Sequence, residues 1–256
     1  MKKIRLDTLL VERGLAASRE RARALIMAGQ VQAGLTTPLK PGTFVAPDID
    51  LRLVRPDHPY VGRGGLKLAH ALDTFGIAVE GRDALDIGAS TGGFTDVLLQ
   101  RGVRHVVALD VGHGQLDWRL RNDPRVLVLE GVNARVLTLD QLPHLVDLVT
   151  IDVSFISLRL VLPVVPPVLR PGADVIALVK PQFEAGRAEV GRGGLVPDQA
   201  VHERVIADVS AAAAAIGLAP RAMTPSPITG ATGNQEYLLH LCPIGPPGGG
   251  TPGAPS

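Results

Sequence analysis

A chain of 256 residues is long enough for one full α/β domain plus a smaller companion, and 46% hydrophobic with 20% charged residues excludes a disordered chain. Aromatic residues make up only 3%, so the core must be built from Val, Leu, Ile and Ala, which suits a parallel sheet covered by helices on both faces. The single cysteine, Cys242, is expected to exclude both a disulfide framework and any cysteine-based zinc site; it ends the apolar alternation YLLHLC and reads as an inert core thiol. Neither a secretory signal nor a run of 18 uncharged apolar residues is present, so the expectation is a cytoplasmic protein without stable membrane association.

The net charge of +1 is unevenly spread: residues 1–40 carry eight Lys or Arg against three Asp or Glu, a local excess of +5 that marks a surface for a polyanion. In this stretch Leu6, Leu9, Leu10 and Leu15 predict a short helix broken at Gly14. Ser18 then caps a second helix with Ala22, Leu25 and Ile26 on its apolar face, ending at Gly29. KPGTFV (40–45) predicts a turn entering a strand and IDLRLV (49–54) another strand, completing a small unit over 1–54. The Pro- and Gly-rich stretch 55–65 is the expected linker, and a helical pattern resumes at Leu66.

From there the chain alternates strands and helices. Strands are predicted at 82–88, 104–110, 126–130, 146–152, 173–179, about 219–224 and 236–242, seven in all, with helices notably at 93–101, 157–169 and 199–216. Prolines 163 and 166 must interrupt the second of these helices. The aperiodic, Gly-containing stretch 181–197 predicts a mobile loop, and 243–256 a disordered low-complexity tail behind a catalytic domain over 66–242. Nothing in the pattern specifies an oligomer.

LDIGASTGGF (85–94) places a strand, a glycine turn and a helix N-terminus in succession, so the turn formed by Gly88, Ala89, Ser90, Gly92, Gly93 and Phe94 is a candidate cofactor cradle. The spacing GxxxGG is neither the GxGxxG of nicotinamide dehydrogenases nor a P-loop. Asp110 ends the next strand, where an acid can take both hydroxyls of a nucleoside ribose, and Asn133 in GVNAR could meet the base or simply serve the turn. Trp118, just beyond Asp110, reads as a core residue.

Charged residues also sit where a buried charge needs a reason. Asp152 and Lys180 end strands and therefore point into the crevice at the carboxyl edge of the sheet; Lys67 opens a helix after the linker. A lysine beside a second cation has its pKa lowered and becomes able to accept a proton, and Glu236, at the start of the last strand, can orient such a lysine.

Together, Lys67, Asp152, Lys180 and Glu236 resemble the Lys-Asp-Lys-Glu tetrad of the FtsJ-like RNA 2′-O-methyltransferases. GRGGLKL, DIGASTGGFTDVLL, ALDVGHGQL, RNDPRV, DVSFISL, VKPQFE and GNQEYLLHL more closely resemble the TlyA family, whose members carry both haemolysin and ribosomal RNA 2′-O-methyltransferase names. RLDTLLVERGLAASRERARALIMAGQV is similar to the S4-type RNA-binding domain of that family. The resemblance implies a Rossmann-like methyltransferase fold with a mostly parallel seven-stranded sheet behind a small α/β S4-type domain. It further implies S-adenosyl-L-methionine as cofactor, no metal and no ligand cluster to hold one, and ribosomal RNA or ribosomal subunits as partner. RNA contacts are expected from Arg5, Arg19, Arg21 and Arg23, with Arg63 in the linker facing RNA or the cofactor-side loops. Either Lys180 or Lys67 can serve as the base. Three rival readings are an RNA-binding ribosome-associated factor without catalysis, a membrane-active haemolysin and a nicotinamide dehydrogenase, the last disfavoured by the glycine spacing. The tetrad argues against the first, and the lack of an export signal or amphipathic membrane segment against the second.

Overall fold

The computed structural model describes residues 3–27, 29–34, 40–54 and 58–244, and the chain divides into two units at Pro59 and Tyr60. In the first unit, β1 (Ile4–Arg5) leads into α1 (Leu6–Glu12), followed by α2 (Arg19–Met27), β2 (Val31–Ala33), β3 (Phe44–Val45) and β4 (Leu51–Leu53). Ser18 Oγ accepts from Arg21 N at 3.1 Å, the expected cap of α2. Leu6, Leu9, Leu10, Ala22, Leu25, Ile26 and Val31 pack into one small core. Two short antiparallel pairs, β1 with β3 and β2 with β4, close the unit.

The second unit runs α3 (Gly64–Phe75), β5 (Asp83–Ile87), α4 (Gly93–Gln100), β6 (His105–Asp110), α5 (Trp118–Arg121), β7 (Val126–Glu130), β8 (Val146–Ile151), β9 (Leu169–Val179), α6 (Pro181–Glu184), α7 (Gln199–Ala215), β10 (Leu218–Pro225) and β11 (Tyr237–Pro243). Its seven strands form one sheet in the order β10-β11-β9-β8-β5-β6-β7. β5 to β9 are parallel to one another, and β11 is antiparallel to both its neighbours. The chain moves outward from β5 through β6 to β7, then returns to place β8 on the other side of β5. The order therefore reverses between β5 and β8, and a crevice opens outside their carboxyl ends.

Alternation along the strands sorts the core into two layers. Leu85, Ile87, Val107, Leu109, Val149, Ile151, Val175 and Ala177 face Val205, Val209 and Ala213 of α7. Ala84, Val106, Ala108, Leu148, Ile176 and Leu178 face Leu68, Ala71 and Leu72 of α3 and Val97 and Leu98 of α4. Asp86 belongs to the second layer and is fully buried. Its two oxygens accept from Thr95 Oγ1 at 2.7 Å and Thr150 Oγ1 at 2.8 Å, tying α4 and β8 to the central strand. Burial, supplemented by the negative charge of Asp152, pushes its carboxyl up to about 6 against the two hydroxyl bonds that favour ionisation.

Several expectations need correction. Residues 157–169 form three separate 3₁₀ turns, Leu158–Leu160, Leu162–Val164 and Pro166–Val168, rather than a helix, because Pro163, Pro166 and Pro167 donate no backbone hydrogen bond. The stretch 181–197 is not a structureless loop: α6 and two 3₁₀ turns occupy it, with Glu184 and Val196 buried. Trp118 is 71% exposed and not a core residue. Helix α3 begins two residues before Leu66, and β11 extends to Pro243, after which Ile244 N donates to Gly217 O at 2.7 Å. Residues 55–57 of the expected linker and 245–256 of the expected tail lie outside the described residues. No described helix is long and apolar enough to cross a membrane.

Asp86 yields a signed pH prediction. Its carboxyl rises from 3.8 to about 6 on folding, so the native state keeps the proton longer than the unfolded chain does. This group's contribution is lost as pH rises between about 4 and 6, a change on the order of 3 kcal/mol. Asp86→Asn removes the dependence: the variant's stability minus that of the wild type, from urea unfolding, rises across this window and levels off above it. A difference independent of pH contradicts the assignment.

Candidate active site

The glycine turn after β5 is pinned to its neighbours by backbone. Gly88 N and Ala89 N both donate to Leu109 O, at 2.8 and 3.0 Å, and Asp152 N donates to Ile87 O at 2.9 Å. Gly88 has φ +85°, and a Cβ there would run into the Asp152 carbonyl, so only glycine fits between the ends of β5 and β8. Gly93 opens α4 where a Cβ would lie 3.0 Å from Gly65 N and 3.3 Å from Gly62 O. The glycines of GRGG and TGG thus let the start of α3 approach the start of α4. Ser90 takes the left-handed conformation at φ +49°, held by its N–H on Asp110 Oδ2 at 2.8 Å. The other Asp110 oxygen accepts from Gly112 N at 2.7 Å.

A cavity of about 320 Å³ opens over this turn. Its wall includes Lys67 from the first turns of α3, Asp152 and Ser154 after β8, Lys180 after β9, and Gly88, Ser90, Gly93 and Phe94 from the cradle. Arg63 and the loop 228–231 form the remaining rim, joined where Arg63 Nη2 donates to Thr229 O at 3.1 Å.

Two ammonium groups share this cavity, each matched to a carboxylate. Lys67 Nζ donates to Glu236 Oε2 in a short, buried pair that bridges 169 positions of sequence. Lys180 Nζ lies 2.6 Å from Asp152 Oδ1 and donates to Ser154 Oγ at 2.9 Å. The neighbour in contact with each lysine is therefore an anion, not the second cation that the sequence suggested. The Lys180–Asp152 contact is an ion pair, and Asp152 Oδ1 is buried against the ammonium group. The Phe183 ring lies 5.9 Å from Lys180 Nζ, on the side of α6.

A second carboxylate organises the wall. Glu184 Oε1 accepts from Leu158 N at 2.6 Å and Oε2 from Ser157 Oγ at 2.5 Å, with burial pushing its carboxyl up. It fastens the DVSFISL segment to the VKPQFE segment, and so Ser154 to Lys180.

Of the anticipated residues, Lys67, Asp152, Lys180, Gly88, Ala89, Ser90, Gly93 and Phe94 line the cavity, and Glu236 reaches it through Lys67. Gly92 is packed under the turn against Leu116 and Leu120. Asp110 supports the turn through Ser90, whereas Asn133 is exposed, its side chain accepting from Arg135 N at 3.1 Å as the cap of a 3₁₀ turn. Ser154, Thr91 and the loop 228–231 were missed. The signal for Ser154 was its position two residues after Asp152; the loop offered only its adjacency to GNQEY.

In the first unit, Arg19 and Arg23 are exposed. Arg5 pairs with Asp7 through Nε at 2.9 Å and Nη2 at 2.7 Å, and Arg19 adds a contact at 3.4 Å. The Arg5 hydrogen bond, opposed by burial and reinforced by Arg19, holds the Asp7 carboxyl down to about 2. Arg21 Nη2 donates to His58 O at 3.5 Å.

Residues 60–242 match the FtsJ-like methyltransferase family and residues 4–32 the S4 domain. The chain is 49% identical over 241 residues to the 16S/23S rRNA (cytidine-2′-O)-methyltransferase TlyA of Mycobacterium tuberculosis, covering 94% of this chain and 90% of that protein. The chain belongs to the TlyA family. A solved structure described as a hemolysin of Streptococcus thermophilus superposes with a TM-score of 0.75 at 44% identity, over 96% of this chain and 90% of that one. Fibrillarin of Aeropyrum pernix, solved with S-adenosyl-L-methionine, shares the fold alone, with a TM-score of 0.50 at 18% identity over 69% of this chain and 74% of that one.

Proposed function

We propose that this TlyA-family chain is an S-adenosyl-L-methionine-dependent methyltransferase that modifies the ribose 2′-hydroxyl of cytidine in ribosomal RNA, acting in the cytoplasm on RNA or on ribosomal subunits. The observation that carries this reading is the meeting of Lys67–Glu236 and Lys180–Asp152 in one cavity beside the Gly88–Phe94 turn. The family membership and the name of the Mycobacterium tuberculosis relative support it.

The residues present fit the cofactor. Asp110 is the carboxylate available to a ribose diol, given up by Ser90 N or Gly112 N as they relax. The turn and the N-terminus of α4 suit the anionic end of a methionine group. When bound, S-adenosyl-L-methionine supplies an electrophilic methyl on a sulfonium. Lys180 Nζ is proposed to take the 2′-hydroxyl proton when it is a neutral amine, its own proton having first been given up to solvent, or as an ammonium to hold the developing alkoxide. Asp152 orients that nitrogen through their ion pair. Lys67, fixed by Glu236, adds a second positive charge where negative charge grows on oxygen. The chemistry asks for alignment of two reactants more than for bond activation, and a rigid cleft at a sheet edge supplies that. Arg19 and Arg23 of the S4 unit meet phosphates, with Arg5 and Arg21 beside them, and Arg63 holds the rim of the cavity.

Lys180→Ala is expected to lower methyl transfer to ribosomal subunits from a strain lacking the enzyme by about 10²–10⁴, with cofactor affinity nearly intact. Asp110→Ala should instead raise the cofactor Kd roughly ten- to hundredfold. Tritium transfer and calorimetry read the two quantities, and full activity in Lys180→Ala removes that residue from the reaction. Arg23→Glu should weaken RNA binding and flatten the dependence of log K on log salt by about one unit. An unchanged salt slope places Arg23 outside the RNA contact.

A further inference from the structure

At the end of the sheet away from the crevice, β9 and β11 carry a cluster that methyl transfer does not use. His240 pairs with Ile176 and Leu241 with Val175 in this antiparallel ladder. The next step brings Cys242 opposite Asp174, and the two-residue period of a strand puts His240, Cys242 and Asp174 on one face. His240 Nε2 lies 2.8 Å from Asp174 Oδ1; Cys242 Sγ lies 3.6 Å from that oxygen and 3.4 Å from that nitrogen. Around a tetrahedral zinc with ordinary bond lengths, S···N and S···O edges are roughly 3.5–3.6 Å and an N···O edge roughly 3.4 Å. Two edges are already in place. The third is a hydrogen bond that opens by roughly half an ångström on metal entry.

The surroundings hold the three donors in these orientations. Phe75, the last residue of α3, stacks on the His240 ring with centroids 5.4 Å apart. Arg82 Nη1 takes the other Asp174 oxygen at 2.6 Å, which leaves Oδ1 turned toward His240 and Cys242. Burial and the neighbouring Asp174 charge push the Cys242 thiol up, only partly offset by Arg221 at the irregularity of β10 between Pro220 and Ala222, so the ion itself must displace the thiol proton. All three donor residues are half-buried.

We propose that Asp174, His240 and Cys242 bind one divalent d-block ion of the zinc type, with water as fourth ligand, clamping β9 to β11. Binding releases the Cys242 thiol proton to solvent and forms the sulphur–metal bond without a change of oxidation state. A soft thiolate beside an imidazole selects such an ion over magnesium or calcium. Counting cysteines misses the site because only one of its donors is sulphur. Six residue steps along the strand, roughly 20 Å, separate Asp174 from Lys180, so the ion stabilises the sheet and takes no part in the reaction.

A second group, Asp83, His105 and His144, is less suited. Both Asp83 oxygens already accept from guanidinium groups, Arg104 at 2.9 and 2.5 Å and Arg170 at 2.9 Å, whereas Arg82 takes only one oxygen of Asp174.

Cobalt(II) is the probe. Titrated into the full-length, chelator-treated protein, it should give a thiolate-to-metal charge-transfer absorption that saturates at one equivalent and is bleached by Zn²⁺. Cys242→Ser should abolish the band, and His240→Gln should weaken binding at least tenfold. Zinc at a hundredfold excess over its Kd should raise the melting temperature of the wild type by about 5–10 °C and leave Cys242→Ser unchanged. Absence of the band in the wild type overturns the proposal, as does metal binding that survives Cys242→Ser, which would assign the ion to Asp83, His105 and His144.

Discussion

Two lysines in one small cavity would repel each other and resist burial, yet Lys67 and Lys180 are both buried. What permits this is the pairing of each with its own carboxylate, Glu236 for the first and Asp152 for the second. Taking an ammonium out of water costs several kcal/mol, and an ion pair recovers this only with close geometry and further hydrogen bonds. Lys67 comes from the helix that opens the unit and Glu236 immediately precedes its final strand, so the pair joins the two ends of the unit's sequence. The site and the fold are thus coupled, and an arrangement of this kind adds little net stability compared with apolar packing. Its retention is explained by chemistry at the cavity.

The position of the cavity follows from topology. Reversal of strand order between β5 and β8 leaves their carboxyl ends without a helix over them, and the Gly88 turn, Asp152 and Lys180 all emerge there. Beneath the crevice, Asp86 fixes α4 and β8 to β5 through two threonine hydroxyls, and Glu184 fixes the chain after β8 to the chain after β9. Both are buried carboxyls whose protonation is favoured by desolvation, and both set backbone around the cavity without lining it. Polar groups of this sort hold catalytic atoms to a narrower range of positions than apolar packing alone.

The parallel strands were legible because buried strands read as short apolar runs ended by turn residues; 126–130 is reproduced without a shift, and the others within a few residues. Charged residues at strand ends were legible for the same reason, since a lysine closing an apolar run must have a partner. Less legible was anything set by contacts between distant segments. Residues 157–169 have helical hydrophobicity, but their prolines divide the backbone into single turns. Trp118 was expected inside on size and hydrophobicity, although its four-residue helix lies on the surface at the rim of the sheet. That an acid would orient a lysine was expected of Glu236; which acid meets which lysine depends on side-chain reach across the cavity, which spacing does not encode. Cys242 was read as inert because alternation reports which face a residue is on and not which polar groups share that face.

The central claim is that these paired lysines stand at the reacting oxygen. A crystal structure of the protein with S-adenosylhomocysteine and a target RNA fragment measures this directly. The account predicts the thioether over the Gly88–Phe94 turn and a cytidine 2′-oxygen within about 3 Å of Lys180 Nζ, with Asp152 at hydrogen-bond distance from one of them. A complex in which the nucleoside lies elsewhere, or the sugar oxygen approaches neither lysine, contradicts it.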